Sequence, residues 1–220
     1  MVQIYTKNNS QIPSIDKCYD LMAEYAMRPN IVAHSILVMD VALAIADNVK
    51  IGVVIDRDLV MAAALLHDIT KTRSLETKER HDATGGRLLR DLGFTPVAEI
   101  VEQHVIIGNI DLRGPLEERE IVFYADKRVM HDRIVSIDER LRDLVDRYGH
   151  TEEIIRSILH GRNLIFAVER KIDGLMKVDL QQTVYGLGSS SRSDEIDGGQ
   201  KDWRKAGQAS LTRVREKNED

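Results

Sequence analysis

The chain has 220 residues, 43% hydrophobic and 30% charged, with a formal net charge of -5. That is enough apolar material for one domain-sized core, while the acidic balance argues against broad electrostatic capture of nucleic acid or an anionic membrane. The one cysteine, Cys18, excludes an internal disulfide and, with an amino terminus that lacks a signal-like apolar run, fits a soluble cytoplasmic protein.

Apolar residues recur at spacings of three and four along nearly every segment, which predicts an all-α fold, a bundle of about seven to eight helices. The first helix covers residues 14–27, with Ser14 and Asp16 suited to its opening turn. The second begins at Pro29, a residue tolerated in a first turn, and runs to about Asn48 with Ile31, His34, Leu37, Val38, Val41 and Ile45 on one stripe. Residues 31–46 within it are interrupted by His34, Ser35 and Asp40 and are too short to span a bilayer. Gly52 and the Asp56/Asp58 pair mark the turn into a third helix that ends at His67-Asp68. A polar linker is expected at 72–77 and a fourth helix at 78–92, closed by Gly93. Gly85 and Gly86 inside that helix each cost roughly 1 kcal/mol against alanine, so another element should press closely on that face. Thr95-Pro96 opens a fifth helix to about residue 106, and a sixth spans 116–130. Ser136 and Glu139 form a capping-box pattern at the head of a seventh, which ends at Gly149, and a long last helix follows over 151–178. The domain is expected to occupy residues 1–185. Residues 186–220 are polar, with as many acidic as basic side chains, and read as a flexible tail that carries the one tryptophan, Trp203.

Chemistry enters through the histidines. His34 falls on the apolar stripe of the second helix, and His67-Asp68 closes the buried run Ala-Ala-Ala-Leu-Leu of the third. His81 opens the fourth helix, His104 lies one turn beyond Ile100 and Val101, and Asp126 shares a stripe with Val122 and Val129. A single histidine on an apolar face is usually a hydrogen-bonded core residue. The His-Asp dipeptide is weak evidence alone, since His81-Asp82 and His131-Asp132 repeat it. Taken together, four separated histidines and two aspartates on inward faces would make a costly core without a cation to unite them.

The ordered series His34, His67-Asp68, Asp126 resembles the signature of the HD superfamily of metal-dependent phosphohydrolases. Residues 64–71, Ala-Leu-Leu-His-Asp-Ile-Thr-Lys, resemble its His-Asp-Ile-Gly-Lys variant, with Thr70 in place of the glycine. His81 and His104 fall where two-metal members carry two extra histidines, and the Gly-Gly-Arg-Leu-Leu-Arg-Asp-Leu-Gly-Phe run at 85–94 also looks typical of that subgroup. The resemblance implies that His34, His67, Asp68 and Asp126 hold one divalent metal, and that His81 and His104 hold a second with Asp68 as the bridge. One or two ions of Mn, Fe, Co, Ni or Zn suit such nitrogen and oxygen donors. Asp68 and Lys71 are then the candidate catalytic residues, Lys71 as a cation for phosphate oxygen. Arg73, Arg80 and Arg87 are weaker phosphate candidates, Lys127 and Arg128 are ambiguous, and His131, His150 and His160 match no motif position.

The implied activity is hydrolysis of a phosphoester or phosphoanhydride in a small phosphorylated substrate, a nucleotide, by metal-activated water. The arrangement is similar to HD-type symmetrical dinucleoside tetraphosphate hydrolases. It lacks the Gly-Tyr-Pro element of the cyclic-di-GMP phosphodiesterases of the same superfamily. The competing readings are a non-catalytic nucleotide-sensing module with the same pocket, and a helical interaction domain whose histidines are ordinary core residues.

Overall fold

A computed structural model describes residues 11–188. Helix α2 (Pro29–Asp47) is the axis of the fold, because its sequence is apolar on all sides and nearly every residue from Ile31 to Ala46 is buried. It is long and apolar enough to cross a membrane, yet 83% of its apolar window is buried inside the fold. Around it pack α3 (Arg57–Leu66), α7 (Glu118–Arg128) and α10 (Leu180–Gly188). Helix α1 (Ile15–Glu24) lies against α3, and α9 (Glu152–Leu175) against α7 and α8 (Ile137–Tyr148). The core is aliphatic, as the 5% aromatic content implies.

Local chemistry sets several helix starts. Ser14 caps α1 by accepting from the Lys17 N–H, Asp56 caps α3 by accepting from the Leu59 N–H, and Thr151 caps α9 through the Ile154 N–H. The capping box expected at Ser136 and Glu139 forms at the head of α8, and a second, between Glu117 and Glu120, starts α7.

The all-helical expectation holds, with differences in detail. Residues 72–77 are not a linker but part of a short helix, α4 (Lys71–Thr77), which ends in a left-handed Lys78. None of its residues is buried, so it has no apolar stripe to betray it. Helix α5 (His81–Asp91) therefore begins later than expected, and α6 (Thr95–Val101) ends earlier, leaving His104 in the turn that follows. Residues 129–134 depart from helix altogether. Strands β1 (Val129–Met130) and β2 (Arg133–Ile134) form a tight antiparallel hairpin, with His131 in the left-handed region at φ 57°. At the carboxyl end, residues 186–188 belong to α10, while 189–220, including Trp203, lie outside the described residues.

The close approach expected at the paired glycines is present. A Cβ on Gly85 would stand 3.2 Å from Val101 Cγ1 and 3.5 Å from Ile69 Cγ2, and one on Gly86 would overlap Glu102 at 2.2 Å. Helix α6 thus lies directly on α5, clamped at its edge by the Arg90–Glu102 ion pair at 2.6 Å. This packing sets the relative positions of His81 on α5 and His104 just past α6.

Candidate metal centre

All six residues singled out by the sequence converge. His34 comes from the second turn of α2, His67 and Asp68 from the turn ending α3, His81 from the first turn of α5, His104 from the turn after α6, and Asp126 from the last turn of α7. The four imidazoles form a row in the order His34, His67, His104, His81, with ring centroids 5.3, 5.0 and 5.0 Å apart. Five of the six residues are buried, and His81 is partly exposed.

The hydrogen bonds decide what these rings can offer. Nδ1 of His34 donates to the His131 carbonyl at 3.1 Å, that of His67 to the Ala64 carbonyl at 2.8 Å, and that of His104 to the Val101 carbonyl at 2.7 Å. A carbonyl can only accept, so in each ring Nδ1 carries the hydrogen and the neutral form presents the Nε2 lone pair to the interior. These lone pairs face other acceptors. His34 Nε2 is 3.1 Å from Asp126 Oδ1, and His104 Nε2 is 3.1 Å from His81 Nε2 and 3.6 Å from Asp68 Oδ1. His67 Nε2 and Asp68 Oδ1 are buried with no hydrogen bond, although His81 Nε2 lies 3.1 Å from that oxygen. Acceptors turned toward acceptors, two of them orphaned, fit a bound cation far better than an ordinary polar core.

Two donor groups share one residue. His34, His67 and Asp68 offer ligand atoms within 4.8 Å of one another, and so do Asp68, His81 and His104. Asp126 adjoins the first group through Oδ1, 3.1 Å from His34 Nε2 and 3.7 Å from His67 Nε2. Both groups are nitrogen and oxygen donors without sulfur, the mix that suits Mn, Fe, Co, Ni or Zn.

Charge reinforces the pattern. Burial pushes the His67 imidazole down to about 3, outweighing the attraction of Asp68, so the ring is neutral near pH 7. Burial likewise lowers His81, against the pull of Asp68. For Asp68 and Asp126 burial alone would raise the carboxyl. Lys71 instead holds Asp68 well below the usual carboxylate range, and Lys127 and Arg140 do so for Asp126. Neutral imidazoles beside ionised carboxylates are the protonation states that metal binding requires.

These shifts make metal-free stability fall with acid. As pH drops below 6.5, the unfolded chain protonates a histidine that folded His67 leaves neutral until about 3. His67 therefore withdraws no stability above 6.5, and withdraws progressively more as pH falls from there toward 3. The depressed carboxyls of Asp68 and Asp126 act in the same sense, since the unfolded chain takes up their protons first. Thermal melting of chelated protein between about pH 7 and about pH 4 should show a steadily falling midpoint; a flat profile would contradict these assignments.

Lys71 lies at the edge of the cluster. Its Nζ is 3.1 Å from His81 Nε2 and 3.7 Å from Asp68 Oδ1, with the side chain one-quarter exposed. The weaker arginine candidates do not join the cluster's charge: Arg73 pairs with Glu79 and Arg80 with Asp82, and Arg87 is exposed on α5. Arg128 is fully buried and structural, reaching the Val135 carbonyl, Tyr124 and Gln181, and so ties α7 to the hairpin and to α10.

Several contributors have roles at the site that the sequence did not assign. Lys127 Nζ donates to Asp126 Oδ2 at 2.6 Å and to the His104 carbonyl at 2.9 Å. Arg140 on α8 is buried, with Nη2 3.8 Å from Asp126 Oδ1 and Nη1 bonded to Asp143 at 2.8 Å. His131 acts through its main-chain carbonyl, which orients His34. Thr70, the residue that departs from the motif, places its Oγ1 2.9 Å from the His81 carbonyl and 2.8 Å from Thr84 Oγ1, so it links the His67-Asp68 turn to the start of α5.

Comparison with known proteins agrees with this geometry. A family model described as HD domain matches residues 31–148, from the start of α2 to the end of α8. An uncharacterized protein of Methanocaldococcus jannaschii is 31% identical over 144 residues, covering 59% of this chain and 84% of that protein. The tRNA (cytidine(56)-2'-O)-methyltransferases of Picrophilus torridus and Thermoplasma volcanium are 32% and 31% identical, over 152 and 150 residues. Each of those matches covers 62% of this chain but 41% of the methyltransferase. No solved structure matches.

Proposed function

The chain belongs to the HD domain family, and from that premise we propose that it is a metal-dependent phosphohydrolase that cleaves a phosphoester or phosphoanhydride bond of a nucleotide. The observation that carries this reading is the pair of donor groups joined at Asp68, with Nε2 of three histidines committed to the interior by their Nδ1 hydrogen bonds. His34, His67, Asp68 and Asp126 would hold one divalent ion, and Asp68, His81 and His104 a second. Ions so held supply an activated water near neutral pH and screen the charge that develops on a transferring phosphoryl group.

The chain's own residues do the rest. Asp68 presents one oxygen to each donor group, Oδ2 at 3.6 Å from His67 Nε2 and Oδ1 at 3.1 Å from His81 Nε2, which suits it to bridge. Lys71, on a flexible stem at the partly exposed edge, would take a phosphate oxygen as a mobile point charge. The buried wall formed by α2, α3 and α7 keeps bulk water from the His34–Asp126 side.

A second reading is a nucleotide-sensing module without turnover. The matches to tRNA (cytidine(56)-2'-O)-methyltransferases, in which a stretch similar to this chain makes up 41% of a protein with another named activity, give it a specific footing. The experiment is a screen of nucleotides, dinucleoside polyphosphates, cyclic nucleotides and tRNA against Mn, Fe, Co, Ni and Zn. Phosphate release or bond cleavage that requires a metal is the expected result. Nucleotide binding without cleavage under any of these metals would favour the sensor, and full activity in chelated protein would overturn the proposal.

A further inference from the structure

Lys127 is a buried ammonium that the proposed chemistry does not use. Burying a lysine is costly unless its charge and donors are matched. Here Nζ makes one bond to each half of the site: 2.6 Å to Asp126 Oδ2, beside His34 and His67, and 2.9 Å to the carbonyl of His104, a member of the second donor group. By occupying Oδ2 it leaves Asp126 Oδ1 turned toward His34 Nε2 at 3.1 Å and His67 Nε2 at 3.7 Å. On the other side, the same turn has its His104 ring tied to the Val101 carbonyl. The Lys127 side chain also lies over the Phe123 ring, with Nζ 4.9 Å from the centroid, which limits its freedom to swing elsewhere.

We propose that Lys127 is a positioning residue that locks the two donor groups together, orienting the Asp126 carboxylate toward one and anchoring the His104 main chain of the other. The inference rests on the metal-binding reading above. It does not make Lys127 a contact for substrate, since both of its acceptors are protein atoms.

Simple electrostatics and positioning make opposite claims. A cation beside a metal site repels the ion, so removing it without loss of order would tighten binding. If Lys127 positions the ligands, removing it loosens binding, by about 10- to 100-fold as for other outer-shell partners of metal ligands. The test is calorimetric titration of chelator-stripped full-length protein with Mn alone, comparing wild type with Lys127→Met, which keeps the stem and loses the donors. Weaker Mn binding at both sites supports the inference, and unchanged or tighter binding overturns it. If Lys127→Met fails to fold, Lys127→Gln carries the same comparison: it keeps an amide donor without the charge, so the expected loss is smaller and the electrostatic expectation is still a gain. Absence of Mn binding by wild type would instead strike at the metal reading itself, which separates the two failures.

Discussion

Replacing Asp68 by alanine should lower turnover by at least about a thousand-fold, equivalent to roughly 4 kcal/mol of lost transition-state stabilisation. Asp68 supplies carboxylate oxygen to both donor groups and lies within 3.6 Å of His67, His81 and His104. Its removal takes one oxygen from each group and leaves Lys71 without its nearest carboxylate. Asp68→Asn is the stricter variant, because it keeps the shape, removes the charge and replaces one ligand oxygen by a hydrogen-bond donor. Both variants should retain the helical circular-dichroism spectrum while losing metal-dependent hydrolysis. An Asp68→Asn protein that hydrolyses substrate at the wild-type rate would show that this carboxylate is structural.

The second large effect is on stability. The convergent acceptors leave a folded state that gains from a divalent ion, while the unfolded chain scatters the same ligands. At free Mn of about a hundred times its dissociation constant, binding adds about 2.7 kcal/mol for one site. For a domain of this size each kcal/mol raises the melting midpoint by about 2–4 °C, so Mn should raise it by about 5–10 °C, and chelator should reverse the gain. The increment should shrink in acid, where protons compete for the imidazoles. His34→Ala should lose part of it and Asp68→Ala most. A melting temperature indifferent to Mn, Fe, Co, Ni and Zn would return these histidines to the status of ordinary core residues.

His34, His67, Asp68 and Asp126 were legible because each violates its surroundings, whereas His81 and His104 were read through the family resemblance. His34 and Asp126 stand on stripes that are otherwise apolar, and His67-Asp68 ends a run of alanine and leucine, so their burial could be inferred and a shared cation followed. Gly85 and Gly86 announced a close contact in the same way, through a cost that only proximity explains. The roles that stayed unassigned lack such a signature. Lys127 and Arg140 are charged residues of the kind that usually point to solvent, and only their counter-charges in three dimensions mark them as buried. The role of His131 belongs to its backbone carbonyl, which no side-chain pattern encodes. Helix α4 has no buried residue, and α10 fully buries only Leu180 and Val184, too little periodicity to read. The two-residue strands of the hairpin are shorter than any alternation can show.

The most direct test of the account is anomalous diffraction at the manganese edge from crystals of chelator-stripped protein soaked with Mn. The expected result is two peaks, one on either side of Asp68, with His34, His67 and Asp126 around the first and His81 and His104 around the second. No anomalous density beside Asp68 at saturating Mn would contradict it.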